Sequence, residues 1–188
     1  MATEEVELVM RRVVESTLVS ADGVIGRPDT WTGELFDQEA VARALEQMRR
    51  TDAMVMGRGT YEVFSKLWGK PSGEYTSAIY NMRKYVFSST LDRADWNNTE
   101  VVNGDVVDTV AKLKAQDGQD ILLYGHGGVG QALLESGLLD ELKLWVHPVI
   151  VGHGALLFRP GEHIGLTLAG VDTTSTGVVI LTYRPNRT

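Results

Sequence analysis

Cysteine is absent from the 188 residues, which removes disulfides, thiolate nucleophiles and cysteine-held metals together. Basic residues are in the minority, 18 Lys and Arg against 25 Asp and Glu, for a net charge of −7. A duplex nucleic acid or an anionic membrane surface is therefore repelled over most of the molecule, and neither is expected as a partner. Low-complexity tracts and fixed-period repeats are missing, and no Gly- or Pro-rich stretch is long enough to be a linker. Long apolar runs are missing too: "LKLWVHPVIV" is interrupted by Lys143, His147 and Pro148, so it does not read as a membrane span. The acidic start "MATEEVELVM" lacks the basic-then-apolar layout of a secretory signal, and a cytoplasmic location is the expectation.

What is present suits one domain over residues 1–188, since a 43% hydrophobic chain of this length supports one sizeable core. "VELVMRRVVESTLVS", Val6 to Ser20, reads as a first strand starting near Met10, and "SADGVIGRPDTWTG" breaks it. "DQEAVARALEQMRR" sets Val41, Leu45 and Met48 at helical spacing, with Asp37 as N-cap and Arg49 and Arg50 in the last turn. "DAMVM" reads as a short buried strand, and "GRGTYEVFSKLW" as a glycine turn leading into a helical turn or two. "GEYTSAIYNMRK" and "VVDTVAKLKAQ" are helical, "YVFSS" and "DILLY" are strands, and "DELKLWVHPVIVG" is a longer strand. The tail, "LTLAGVDTTSTGVVILTYRP", has two β-rich runs around a polar turn, an antiparallel hairpin at one sheet edge. This alternation predicts an α/β fold: a mostly parallel sheet with helices on both faces.

Three clusters stand at predicted strand ends. "YGHGGVG" gathers Gly125, Gly127, Gly128 and Gly130 where a strand meets a helix. Glycine there lets backbone N–H groups approach a ligand, and a helix N-terminus favours an anion; the alternative is a tight turn and close packing alone. Gly125, Gly127 and Gly130 fit the spacing of a dinucleotide fingerprint, but no acidic ribose-binding residue follows at the required distance. After "DAMVM" come Gly57, Arg58, Gly59 and Thr60, and after "YVF" come Ser88, Ser89 and Thr90. Ligands of open parallel sheets bind beyond the carboxyl ends of the strands, so the three clusters together describe a groove for a ligand with several phosphates. No histidine has the spacing partners of a metal site, and no metal is expected.

"VVESTLVSADGVIG", "DAMVMGRGTYEVF" and "GGVGQALLESGLLDELKLWVHPVIVGHGALLF", in that order, resemble the dihydrofolate reductase superfamily. The likeness is nearest to the branch that holds the reductase domain of riboflavin biosynthesis and its stand-alone bacterial relatives, and it covers about Arg11 to Tyr183. The resemblance implies a dihydrofolate-reductase-like three-layer fold that binds NADPH. It implies that Ala21, Val24, Ile25 and Gly26 line the nicotinamide end, that Gly57, Arg58 and Thr60 hold cofactor phosphates, and that Ser88, Ser89 and Thr90 meet the adenosine ribose and its 2′-phosphate. Gly127, Gly128 and Val129 form the helix start facing the diphosphate, with Gly125 and His126 at the superfamily's Gly-Gly pair and His126 close to phosphate. Gly128 and Gly130 fall at positions that need not be glycine. Tyr124 stands on the substrate side, where the riboflavin reductase domain usually has a glutamate, a departure that leaves the substrate open.

Hydride transfer asks the protein mainly to position the reacting rings; a proton source is what side chains may add. Asp22 in the nicotinamide loop and Asp37 near the first helix are the catalytic candidates, with turn chemistry and N-capping as their structural alternatives; Glu34 is a third carboxylate nearby. Trp31, Phe36, Tyr61 and Trp68 are candidates to sandwich a planar ring, with a core role as the alternative for each. The expectation is an NADPH-dependent reductase of a small heterocycle of pterin, pyrimidine or flavin type, and a homodimer. Dihydrofolate reductase itself, or a nucleotide-binding protein without turnover, remain as alternatives.

Overall fold

The computed structural model describes residues 10–158 and 163–186; Val6 to Val9, at the head of the run that holds the first strand, lie outside them. In chain order the elements are β1 (Val13–Ser20), α1 (Gln38–Met48), β2 (Thr51–Gly57), α2 (Arg58–Trp68), α3 (Glu74–Asn81), β3 (Arg83–Phe87) and β4 (Thr99–Val102). There follow α4 (Val106–Lys114), β5 (Asp120–Tyr124), α5 (Gly127–Glu135), β6 (Glu141–His147), β7 (Leu166–Thr173) and β8 (Val179–Pro185). Among the described residues eight strands make one sheet in the order β4-β3-β2-β5-β1-β6-β8-β7. It is parallel from β4 to β6, and β8 and β7 add an antiparallel hairpin at the edge.

Alternation along the central strands sorts the core into two faces. Val55, Ile121 and Leu123 pack with Val110 of α4 and Leu133 of α5. Met54, Met56, Leu122 and Tyr124 turn the other way, toward Met48 of α1, Tyr61 of α2 and Ile79 of α3. Each large apolar side chain buried this way contributes about 2 kcal/mol. One buried cation belongs to this frame: Lys84, wholly inaccessible, donates to the carbonyls of Ile79, Tyr80 and Met82 at 2.8, 3.0 and 2.7 Å and lies over the Trp96 ring. It ties the end of α3 to β3.

Three boundaries and one whole strand differ from the sequence pattern. β1 opens at Val13 rather than near Met10; Arg12 before it gives only its carbonyl to the sheet, accepting from the Ile121 amide at 2.7 Å, and the Arg11 side chain turns to the Gln119 carbonyl. α2 starts directly at Arg58 and runs 11 residues, because Gly57 is extended and serves as its N-cap with no intervening turn. β6 stops at His147, since Pro148 has no amide to continue the ladder. β4 has only four residues within a polar stretch, too short for a periodic signal, and gains its place by pairing with β3. Among the described residues no helix is long and apolar enough to cross a membrane.

Candidate functional site

β2 and β5 are parallel neighbours, and each passes at its carboxyl end straight into a helix. The first turns of α1 and α4 are closed by side chains: Asp37 accepts from the Ala40 amide at 3.0 Å and Asp105 from Asp108 at 2.9 Å. In α3 the Thr76 hydroxyl takes the Gly73 amide. The helices α2 and α5 have no such cap; Gly57 and His126 hold their N-cap positions without a side-chain bond. Among the described residues, two sets of first-turn N–H groups without a side-chain cap, with the positive ends of two helix dipoles, therefore stand side by side. Gly127 and Gly128 are exposed, and a Cβ on either would meet nothing within 4 Å. Gly125 has φ +74°, and a Cβ there would lie 2.4 Å from Thr60 Oγ1, so the two turns interlock.

Beyond β2 and β3, Arg58 Nη1 donates to Thr90 Oγ1 at 2.6 Å while its Nε donates to Glu62 at 2.6 Å. Ser88 Oγ accepts from the Thr90 and Leu91 amides, shaping the turn that leaves Ser89 and Thr90 exposed. The guanidinium thus bridges the two strand ends that were linked only by pattern in the sequence.

His126 corrects the sequence reading. Its imidazole turns inward, 3% exposed, with Nδ1 3.0 Å from Glu15 Oε1 and Nε2 3.3 Å from Gln131 Oε1. Glu15 is completely buried and also accepts from Thr17 Oγ1 at 2.7 Å; a carboxylate inside the protein needs such donors. Of this residue only the backbone remains to face a phosphate. The same pair corrects Gly130: a Cβ there would stand 2.6 Å from His126 Nδ1 and 3.0 Å from Glu15 Oε2, so this position requires glycine. The missed signal was Glu15 itself, an acid on the inward side of a valine-rich strand.

A cavity of about 560 Å³ opens beside these turns, enclosed by α1, α2, α3, the segment after β1 and the turn at Tyr124 to Gly127. Ile25 and Gly26 line it, as do Gly59, Thr60, Phe36 and Trp68. Ala21 and Val24 do not: the Ala21 amide donates to the Val149 carbonyl, and Val24 is buried in a bridge with Leu156. Trp31 is not a lining residue either; its indole donates to the Gly26 carbonyl at 2.8 Å and meets His147 edge-on. Tyr61 is a core residue whose hydroxyl accepts from the Asp95 amide. Tyr124 lines the cavity with Tyr75, their hydroxyls 3.5 Å apart, and burial pushes Tyr124 up to about 12 and Tyr75 well above its ordinary value.

The carboxylates fall outside the reacting space or are already bound. Asp22 accepts from Ser20 Oγ and from the Val151 and Gly152 amides, bonds that hold its carboxyl down at about 2. It is ionised at neutral pH and holds the loop, which argues against a proton donor. Asp37 is the cap of α1, and neither it nor Glu34 lines the cavity. Asp29 does, but it is ion-paired with Arg27 at 2.9 Å, which keeps its carboxyl below the usual range. Among the described residues no group of three or more His, Asp or Glu is placed to hold a metal ion.

The sheet order, with helices on both faces and an antiparallel hairpin after β6, defines a dihydrofolate-reductase-like α/β fold. The chain belongs to the RibD C-terminal domain family, whose model matches residues 11–180. The uncharacterized protein YyaP of Bacillus subtilis (strain 168) is 30% identical over 190 residues, 95% of this chain and 97% of the relative. A solved structure from Shewanella sp. PV-4, provisionally named a riboflavin biosynthesis protein, superposes with TM-score 0.73 at 24% identity over 95% of this chain and all of that one. The Thermotoga maritima diaminohydroxyphosphoribosylaminopyrimidine deaminase/5-amino-6-(5-phosphoribosylamino)uracil reductase shares the fold at TM-score 0.66 and 14% identity, over 94% of this chain and 57% of that one.

Proposed function

We propose that the protein is an NADPH-dependent reductase of a small heterocyclic substrate. The observation that carries this reading is the pair of uncapped helix N-termini, α2 and α5, on adjacent strand ends beside an aromatic-lined cavity. The residues fit the cofactor: the amides of Gly127, Gly128 and the first turn of α2 suit a diphosphate, where a side chain at either glycine would stand in open space. Arg58, Ser89 and Thr90 suit a 2′-phosphate, since a guanidinium and two hydroxyls complement an added dianion. Ile25 and Gly26 wall the nicotinamide end. Bound NADPH supplies the hydride. This chain's part is to hold the ring against the substrate and exclude water, with Thr60 fixing one turn against the other. Membership of the RibD C-terminal domain family and the fold shared with the Thermotoga reductase support the assignment.

Dihydrofolate reductase is a weaker reading, because a carboxyl able to protonate a ring inside the cavity is what that enzyme uses, and Asp22, Asp37 and Asp29 are committed elsewhere. A binding protein without turnover predicts cofactor binding and no substrate reduction. Calorimetric titration of wild type and Arg58→Ala with NADPH and NADH tests the cofactor. NADPH should bind more tightly, and Arg58→Ala should lose about tenfold or more for NADPH with little change for NADH. Equal losses, or no NADPH binding, overturn the assignment. The edge strand β7 leaves Leu168 and Val171 exposed, which supports a homodimer; light scattering should then give twice the 20.7 kDa chain mass.

A further inference from the structure

The substrate side of the cavity can be read more finely, on the basis that it is the reaction chamber of a reductase. Tyr75 on α3 and Tyr124 at the end of β5 are 8% and 7% exposed and both line it. Their hydroxyls meet at 3.5 Å, the outer limit of a hydrogen bond, and neither makes another among the described residues. A phenol brings one donor and an acceptor oxygen, so two buried hydroxyls in this arrangement have capacity left to spend on a ligand. Around them the wall is aromatic: Phe64 stands edge-on to Tyr124 at 5.6 Å and Trp68 edge-on to Tyr75 at 5.4 Å.

Charge is the second consideration. Among the described lining residues Arg27 and Asp29 carry opposite charges and are paired with each other. His126 has its ring nitrogens on Glu15 and Gln131. Arg58, the guanidinium suited to phosphate, is not a lining residue. A phosphate brought into this chamber would lose its hydration and meet no uncommitted cation there, which is costly.

We infer that the chamber takes an uncharged planar heterocycle that bears no phosphate, packed between Phe64, Trp68 and Phe36 with its polar edge on the Tyr75 and Tyr124 hydroxyls. Such a ring has hydrogen-bonding atoms in its plane and apolar faces, which matches two hydroxyls set in an aromatic wall. It differs from the phosphoribosylamino compound in the name of the Thermotoga protein. Tyr75 and Tyr124 give the chamber a neutral polar floor.

Fluorescence titrations of the full chain with lumazine, lumiflavin, riboflavin and FMN test this. At least one of the two bare rings should bind, and FMN should bind several-fold more weakly than lumiflavin, with riboflavin separating the effect of the ribityl chain from that of the phosphate. Tyr75→Phe and Tyr124→Phe should each weaken the bare ring by about tenfold, as expected for a lost buried hydrogen bond, while NADPH affinity and melting temperature hold. FMN binding more tightly than lumiflavin, failure of both bare rings, or phenylalanine variants that bind like wild type each overturn the inference. Bare rings failing while NADPH binds removes this inference alone. Bare rings binding as described while NADPH fails removes the cofactor reading and leaves this one standing.

Discussion

Gly125→Ala tests whether the two strand-end turns are locked together as the geometry requires. At φ +74° an alanine enters the left-handed region, which costs about 1–2 kcal/mol. Its Cβ would also sit 2.4 Å from Thr60 Oγ1, so the first turn of α2 must move, and overpacking of this kind costs about 1–3 kcal/mol. A stiffer unfolded chain offsets under about 1 kcal/mol, leaving a loss of about 2–4 kcal/mol. Urea unfolding of the wild type, both single variants and the double variant Gly125→Ala/Thr60→Ala separates the contributions. Thr60→Ala removes the hydroxyl and leaves only the Cβ, at an ordinary contact of 3.6 Å, so it should recover the steric part but not the backbone part. The expected coupling is about 1–3 kcal/mol. A Gly125→Ala loss below about 1 kcal/mol, or strict additivity, refutes the interlock.

Three other perturbations follow from the described contacts. His126→Ala leaves the buried Glu15 carboxyl without its imidazole partner and should cost about 1–3 kcal/mol in denaturant unfolding; a loss under about 0.5 kcal/mol would show that the pair contributes little. Lys84→Met keeps the apolar stem but strips the donors from three carbonyls, and a loss of about 2–4 kcal/mol is expected by the same measurement, with hydrogen exchange quickened at the end of α3. Asp22→Asn probes pH dependence: the carboxyl falls from 3.8 to about 2 on folding, so its contribution is complete above 3.8 and is lost as pH drops through about 2. The melting-temperature advantage of wild type over Asp22→Asn should hold steady above that window and shrink across it; an advantage that grows on acidification contradicts the assignment.

The legible parts of this molecule were those whose physics is local. Apolar periodicity marks β2, β5 and α1, Asp37 marks its own helix start, and a parallel sheet brings successive strand ends to one edge whatever lies between them. By that last rule Gly57, Ser88 and Gly125 belong together on sequence alone. What was not legible depends on where a side chain points after the backbone is placed. At the head of α5 the His126 ring is buried against Glu15, 111 positions away in sequence, rather than turned outward with the neighbouring glycines. Tyr75 is illegible for the same reason, since only the packing of α3 brings it to Tyr124, 49 residues distant. At Gly130 the expected tolerance fails because tolerance at a family position holds only if the surrounding volume is unchanged. In this chain the Glu15 and His126 side chains already fill the space into which a Cβ at 130 would project. The strand ends carry what is common to the fold, and paired buried groups from distant segments carry what is particular to this chain, including the neutral tyrosine floor.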